Sequence, residues 1–297
     1  MPSLSVVRAA NLAAVPKFRP TAIFLGGTSG VGQAVAEALA QATGGNSHII
    51  ICGRNKAAAD KIIEGFPKSQ SGSTYEFESC EATLMSNVRN TTSSLLGRLS
   101  KLNYLVLSPG FLTLQGRDET SEGIDKKLAL NYYARWRFVH DLMPLLEKAK
   151  AQGEEARVLT VLAAGTNGKL NVNDLDLKKG YGLKAAGDHA TAMNDLMVEE
   201  FAEKHPDMAF IHAFPGIVRT PMLTEFHWSL KLLKPVLPLF TVSPADCAQW
   251  MLHMLLDPQF SRGAFFRNNH AEDAGANRYS TPALRKQVWE HTLERTS

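Results

Sequence analysis

At 297 residues, with 44% hydrophobic residues and a formal net charge of +3, the chain is long enough to bury one large core and too close to neutral to suggest a nucleic-acid surface. No basic stripe interleaved with aromatics appears, so nucleic acid is not an expected partner. The cysteines, Cys52, Cys80 and Cys247, are three in number and far apart, with no ligand-spaced partner, which argues against a disulfide framework or a metal site and for a reducing compartment, the cytoplasm by default.

In chain order, the leader carries Arg8, Lys17 and Arg19 and no acid before Glu37, a superficial likeness to an organelle transit peptide. An apolar run follows almost at once, so residues 1–20 are read as an N-terminal arm packing on a single domain that covers 21–297. Ala22-Ile23-Phe24-Leu25 has the length of a buried parallel strand, and Val31, Ala34, Val35, Ala38 and Leu39 then recur at helical spacing. Between them lies Gly26-Gly27-Thr28-Ser29-Gly30-Val31-Gly32. Glycine at 26, 30 and 32 permits a tight turn, a close approach to a pyrophosphate and a helix packed against its strand, and the helix N-terminus faces the anion. The physical expectation is a dinucleotide site. The next apolar run, His48 to Cys52, is followed by Gly53 and then Arg54, where an acid would otherwise meet the ribose. A guanidinium there attracts a 2'-phosphate, which points to NADP(H).

Further along, Asn55 to Gly65 reads as a helix, Thr74 to Phe77 as a strand, Leu84 to Leu102 as a helix and Tyr104 to Leu107 as a strand ending in Ser108-Pro109-Gly110. A long helix is expected over Ile124 to Lys148, a strand over Arg157 to Leu162, a polar loop over Ala163 to Gly187 and a helix from about Asp188 to Lys204. Ala209 to Phe214 reads as a strand closed by Pro215-Gly216. An apolar excursion at about 222–242, with two prolines and two lysines among its apolar residues, suits a lid over a ligand and is no membrane span. Ala245 to Leu256 reads as a helix, Ala264 to Phe266 as a last strand and Pro282 to Arg295 as a terminal helix. Strands alternating with helices predict an α/β fold: one doubly wound, Rossmann-type parallel sheet of about seven strands, with helices on both faces.

The order of these motifs resembles the short-chain dehydrogenase/reductase family from about Thr21 to Phe266. The glycine signature departs only in having Leu25 where the family has Thr. The resemblance implies 2'-phosphate contacts at Ser29 and Arg54 and an adenine contact at Glu81. It implies further cofactor contacts from Thr28 and Val31 in the glycine loop, from Ser108 and Gly110 after the fourth strand, and from Pro215, Gly216 and Thr220 at the nicotinamide end. Asn131 matches the Asn of the long fourth helix. The catalytic half departs from the family, because its Ser falls at Ala163 and its Tyr and Lys at about Gly187 and Thr191, none of which can do that chemistry.

Substitutes are sought nearby. Tyr181 and Lys184 have suitable types at a spacing of three, although the helix would have to begin early, through Gly182 and Gly187. His189, beside Asp188, can exchange a proton near neutral pH. Thr166 offers a hydroxyl if its loop folds back, whereas Tyr132 and Tyr133 suit the core. The details resemble a divergent fungal branch of the family lacking the usual Ser and Tyr-x-x-x-Lys, which implies a tailoring step in secondary metabolism on a hydrophobic, polyketide-type substrate. Family members often pair through two helices, so a homo-oligomer is a further expectation of the resemblance. Three readings stay open: an NADP(H)-dependent oxidoreductase acting on a carbonyl or alcohol, a non-redox cyclase, isomerase or dehydratase, and a catalytically inactive cofactor-binding protein.

Overall fold

The computed structural model describes residues 2–69, 72–111, 113–221 and 241–297. Seven strands form one sheet in the order β3-β2-β1-β4-β5-β6-β7, and every neighbouring pair is parallel. They are β1 Thr21–Leu25, β2 His48–Gly53, β3 Thr74–Ser79, β4 Tyr104–Leu107, β5 Arg157–Val161, β6 Ala209–Ala213 and β7 Gly263–Arg267. Strands β1, β4, β5 and β6 are buried at every position, which is why each reads as a short run without polar alternation.

Two apolar cores cover the sheet. On one face lie α4 (Met85–Arg98), α6 (Ala134–Ala151) and α7 (Leu183–Lys204), backed by α9 (Pro282–Thr296). On the other lie α2 (Gly30–Ala42), α3 (Lys56–Glu64) and α8 (Pro244–Leu256). Part of the N-terminal arm forms α1 (Leu4–Ala13), started by a Ser3 cap and laid on α8. There Val7 is buried, the Asn11 amide donates to the Gln249 carbonyl at 2.9 Å, and Arg8 pairs with Asp246 at 2.7 Å. No helix among the described residues is long and apolar enough to cross a membrane.

The sheet order reverses between β1 and β4. Leu25 stands level with Cys52 on one side and Leu107 on the other, and Leu107 with Thr160 of β5, so the carboxyl ends of four strands open on one crevice.

Two local expectations are corrected. Helix α7 starts at Leu183, not at Asp188, and runs through Gly187. Mid-helix glycine costs about 1 kcal/mol; Ala185, Ala186, Ala190 and Ala192, with a Lys184–Asp188 pair one turn apart, offset it. The long helix expected over Ile124 to Lys148 begins with α5 (Lys126–Leu128), passes through a π-helical turn at Ala129–Tyr133 and only then continues as α6. That turn contains Asn131. Of the expected lid, residues 222–240 lie outside the described residues.

Candidate active site

The switch point opens into a cavity of about 310 Å³ whose wall contains Gly26, Thr28, Ser29, Gly30 and Val31 from the loop after β1, Arg54 after β2 and Glu81 after β3. Ser108 and Gly110 after β4, Asn131 and Arg135 from the helix beyond, and Pro215 and Thr220 after β6 complete the polar and turn-forming part of the wall. Leu25, Phe111, Leu130, Val161 and Leu162 line it as apolar surface.

The glycine loop is shaped for close approach. Gly26 and Gly30 have φ of +86° and +62°, the left-handed region that L side chains avoid. Gly32 does not line the cavity; it sets how α2 meets the sheet, because a Cβ there would lie 2.3 Å from Ser108 Oγ and 2.5 Å from the Gly26 carbonyl oxygen. Ser29 is the N-cap of α2 but its side chain makes no cap hydrogen bond. The first turn of α2 and the Ser29 hydroxyl are thus placed on the cavity wall, an arrangement that fits a bound pyrophosphate.

At the β2–β3 end, Arg54 Nη1 reaches Glu81 Oε2 at 3.3 Å, with 73% of the Arg54 side chain exposed. Burial alone would raise the Glu81 carboxyl, but hydrogen bonds from Thr83 and the Arg54 charge outweigh it and hold the group below its usual range. Nearby, burial pushes the Cys80 thiol up to about 11, so it is no thiolate near neutral pH.

The opposite end is built on the π-helical turn. Asn131 Oδ1 lies 3.0 Å from where a Cβ on Gly110 would stand. The Asn131 carbonyl accepts from Asn194 Nδ2 at 2.7 Å, and the same amide donates to Ala190 O. Asn194 Oδ1 accepts from the Thr160 hydroxyl at 2.8 Å, which in turn accepts from Arg135 Nη1 at 2.8 Å. Arg135 also donates to the carbonyls of Val161 at 2.9 Å, Pro109 at 2.7 Å and Leu130 at 3.2 Å. This network of Arg135, Thr160 and Asn194 escaped the sequence reading; the one available signal was an arginine one helical turn after Asn131 on an otherwise apolar face.

The substitutes for the family's acid lie elsewhere. Tyr181, Lys184 and His189 do not line the cavity. The Tyr181 hydroxyl accepts from Lys127 Nζ at 2.8 Å, and Lys184 Nζ pairs with Asp188 on the surface. His189 is buried, with Nε2 accepting from the Asn171 backbone N–H at 2.9 Å, and burial lowers its pKa. Thr166 is exposed and donates to the Ala163 carbonyl. Tyr132 and Tyr133 are core residues whose hydroxyls bond Thr292 and, for Tyr133, Asp176 and His291. Pro215 and Thr220 are on the wall, whereas Gly216, at φ +76°, shapes the turn between them.

A buried His212–Asp195 pair at 2.6 Å has the look of a catalytic dyad, yet His212 Nε2 accepts from the Ala163 N–H, and neither residue lines the cavity. It fixes the backbone at the strand end. Among the described residues no three His, Cys, Asp or Glu side chains converge as a metal site needs.

Residues 20–228 match the family model for short chain dehydrogenases. Oxidoreductase AN1596 of Emericella nidulans is 38% identical over 227 residues, 76% of this chain and just under two thirds, 66%, of that relative. Short-chain dehydrogenase/reductase SAT2 of Stachybotrys chartarum is 29% identical over 287 residues, covering 89% of this chain and 80% of that one. Among solved structures, the RhlG/NADP active-site complex of Pseudomonas aeruginosa superposes with a TM-score of 0.62 at 17% identity, covering 84% of this chain and 94% of that one, a likeness of fold. A doubly wound sheet, a glycine loop at its switch point and a family match over most of its length lead to one assignment: the chain belongs to the short-chain dehydrogenase/reductase family, whose members are oxidoreductases.

Proposed function

We propose that the chain is an NADP(H)-dependent oxidoreductase acting on the carbonyl or alcohol of a hydrophobic small molecule. The observation that carries this reading is the single cavity wall that joins the glycine loop and Arg54 at one end to Asn131, Pro215 and Thr220 at the other. The first turn of α2 holds the pyrophosphate, while Ser29 and Arg54 take the 2'-phosphate. Glu81 receives the adenine, and Pro215 and Thr220 hold the nicotinamide end. Asn131 and Gly110 pack as the floor between them.

Bound NADP(H) supplies or takes the hydride. In reduction, the oxygen of the reacting carbonyl then needs a proton. The described wall around β4 and β5 carries no carboxyl, imidazole or phenol. Phe111, Leu130, Val161 and Leu162 exclude bulk solvent and favour an apolar substrate body. With the fungal sources of the similar chains, they support a substrate of the kind made in secondary metabolism.

The absence of the family's acid at 163, 187 and 191 favours a second reading, in which the pocket is kept for non-redox chemistry or for binding alone. One experiment separates them. The full chain is titrated with NADPH and NADH by fluorescence, then incubated with C4-deuterated NADPH and a panel of aromatic and aliphatic ketones. Deuterium in a product supports the redox reading. Nucleotide binding with no transfer across the panel favours the second, and failure to bind either nucleotide overturns both cofactor-dependent readings.

A further inference from the structure

Arg135 is the largest buried charge that the dehydrogenase reading leaves unused. It is 1% exposed, and among the described residues no carboxylate pairs with it. Burying a guanidinium is costly unless its charge is compensated. Here the compensation is neutral: three backbone carbonyls and one hydroxyl take four of its five N–H groups. Its hydrogen bonds are met while its positive charge is delocalised and not cancelled. Burial without an acid lowers its pKa to about 9, which leaves it protonated at neutral pH.

Its position gives that charge a use. Pro109 and Val161, whose carbonyls it holds, follow β4 and end β5, the half of the crevice opposite Arg54 and Glu81. The side chains linked to it, Thr160 and Asn194, are neutral, as are its neighbours Leu130 and Asn131 on the cavity wall. The acid on that wall, Glu81, is at the far end and already engaged by Arg54.

We propose that Arg135 is the fixed cation that sets the redox-state preference of the nicotinamide half of this cavity, so that the site holds the reduced, uncharged ring more tightly than the oxidised, cationic one. The inference rests on the NADP(H) reading above. The two forms carry the same adenosine and phosphates and differ by one positive charge on the ring. A buried cation beside that ring repels only the oxidised form, and with little water between them the repulsion is on the order of tenfold in binding. The oxidised cofactor left when a substrate is reduced would then leave readily, while on the protein the same preference stabilises the reduced ring.

The test measures equilibrium binding of NADPH, NADP+ and adenosine 2',5'-bisphosphate, which lacks the nicotinamide, to the full chain and to Arg135→Met and Arg135→Lys. The wild type should bind NADPH about tenfold or more tighter than NADP+. Arg135→Met should bring the two within about threefold, Arg135→Lys should keep the preference, and the bisphosphate should bind all three alike. A wild type that binds NADP+ as tightly as NADPH overturns the inference without any variant, even if Arg135→Met fails to fold. A folded Arg135→Met, checked by circular dichroism, that keeps the wild-type ratio also overturns it and leaves Arg135 as a structural tie. Wild type that binds the bisphosphate and neither dinucleotide instead overturns the dinucleotide reading on which the inference rests.

Discussion

Arg54→Ala is the sharpest probe of cofactor choice. Arg54 is 73% exposed and loosely paired with Glu81 at 3.3 Å, a surface contact worth about 0–1 kcal/mol. A 2'-phosphate offers a denser negative charge and can displace that carboxylate. A hydrogen bond to a charged group contributes about 1.5–3 kcal/mol when sheltered, and exposure reduces this to about 1–2 kcal/mol. NADPH binding should therefore weaken by about 5- to 30-fold in the variant. NADH has no 2'-phosphate and should change by less than about twofold. Glu81→Gln removes the competing carboxylate, so NADPH should bind as well as or slightly better than to the wild type. Fluorescence titration at low salt reads all of these, and raising the salt should narrow the gap between the cofactors. Equal weakening for NADPH and NADH, or none for either, would refute the argument that Arg54 reads the 2'-phosphate.

Gly32→Ala forces a methyl to within 2.5 Å of the Gly26 carbonyl, a backbone atom that cannot yield without moving the loop, so stability should fall by about 1–3 kcal/mol and NADPH binding with it. An unchanged melting temperature would show that the loop can yield. Tyr181→Phe should cost about 1 kcal/mol, because Lys127 keeps the Gln115 and Gly116 carbonyls, and should leave NADPH binding unaltered. His189→Ala should cost about 2 kcal/mol through the space it empties, again without changing binding; a loss of affinity beyond about threefold in either variant returns that residue to the site. At Asp176 burial pushes the carboxyl up, but the His291 hydrogen bond and the Arg295 charge outweigh it and hold the pKa down to about 2. Its stabilisation is thus present above the unfolded value near 4 and lost as pH falls towards 2. Urea denaturation of Asp176→Asn should show a deficit of about 2 kcal/mol at pH 7 that closes between about pH 4 and pH 2, and a deficit constant across that window would refute the assignment.

The glycine-loop half of the cavity was legible because its signals are local. A strand, three glycines and an amphipathic helix occupy consecutive residues, and Arg54 follows the next strand directly. The other half depends on contacts between distant segments. Arg135 resembles a surface charge until the carbonyls of Pro109 and Val161 are brought around it. The π-helical turn at Ala129–Tyr133 carries no composition that marks it. Tyr181 and His189 have the right chemical types, but their use turns on the path of a loop, which sends one to Lys127 and the other to the Asn171 backbone. The early start of α7 did not rescue Tyr181, which stays ahead of the helix.

The backing of the π-helical turn bears on the order in which the chain matures. Tyr132 meets Thr292 of α9 across 160 residues, and Tyr133 meets His291 across 158, so the turn that carries Asn131 is sealed by a helix later in the chain than all seven strands. A chain emerging from the ribosome can close β1 on β2 long before α9 exists. The glycine-loop end of the crevice can therefore assemble first, and the end that carries Asn131 is completed last.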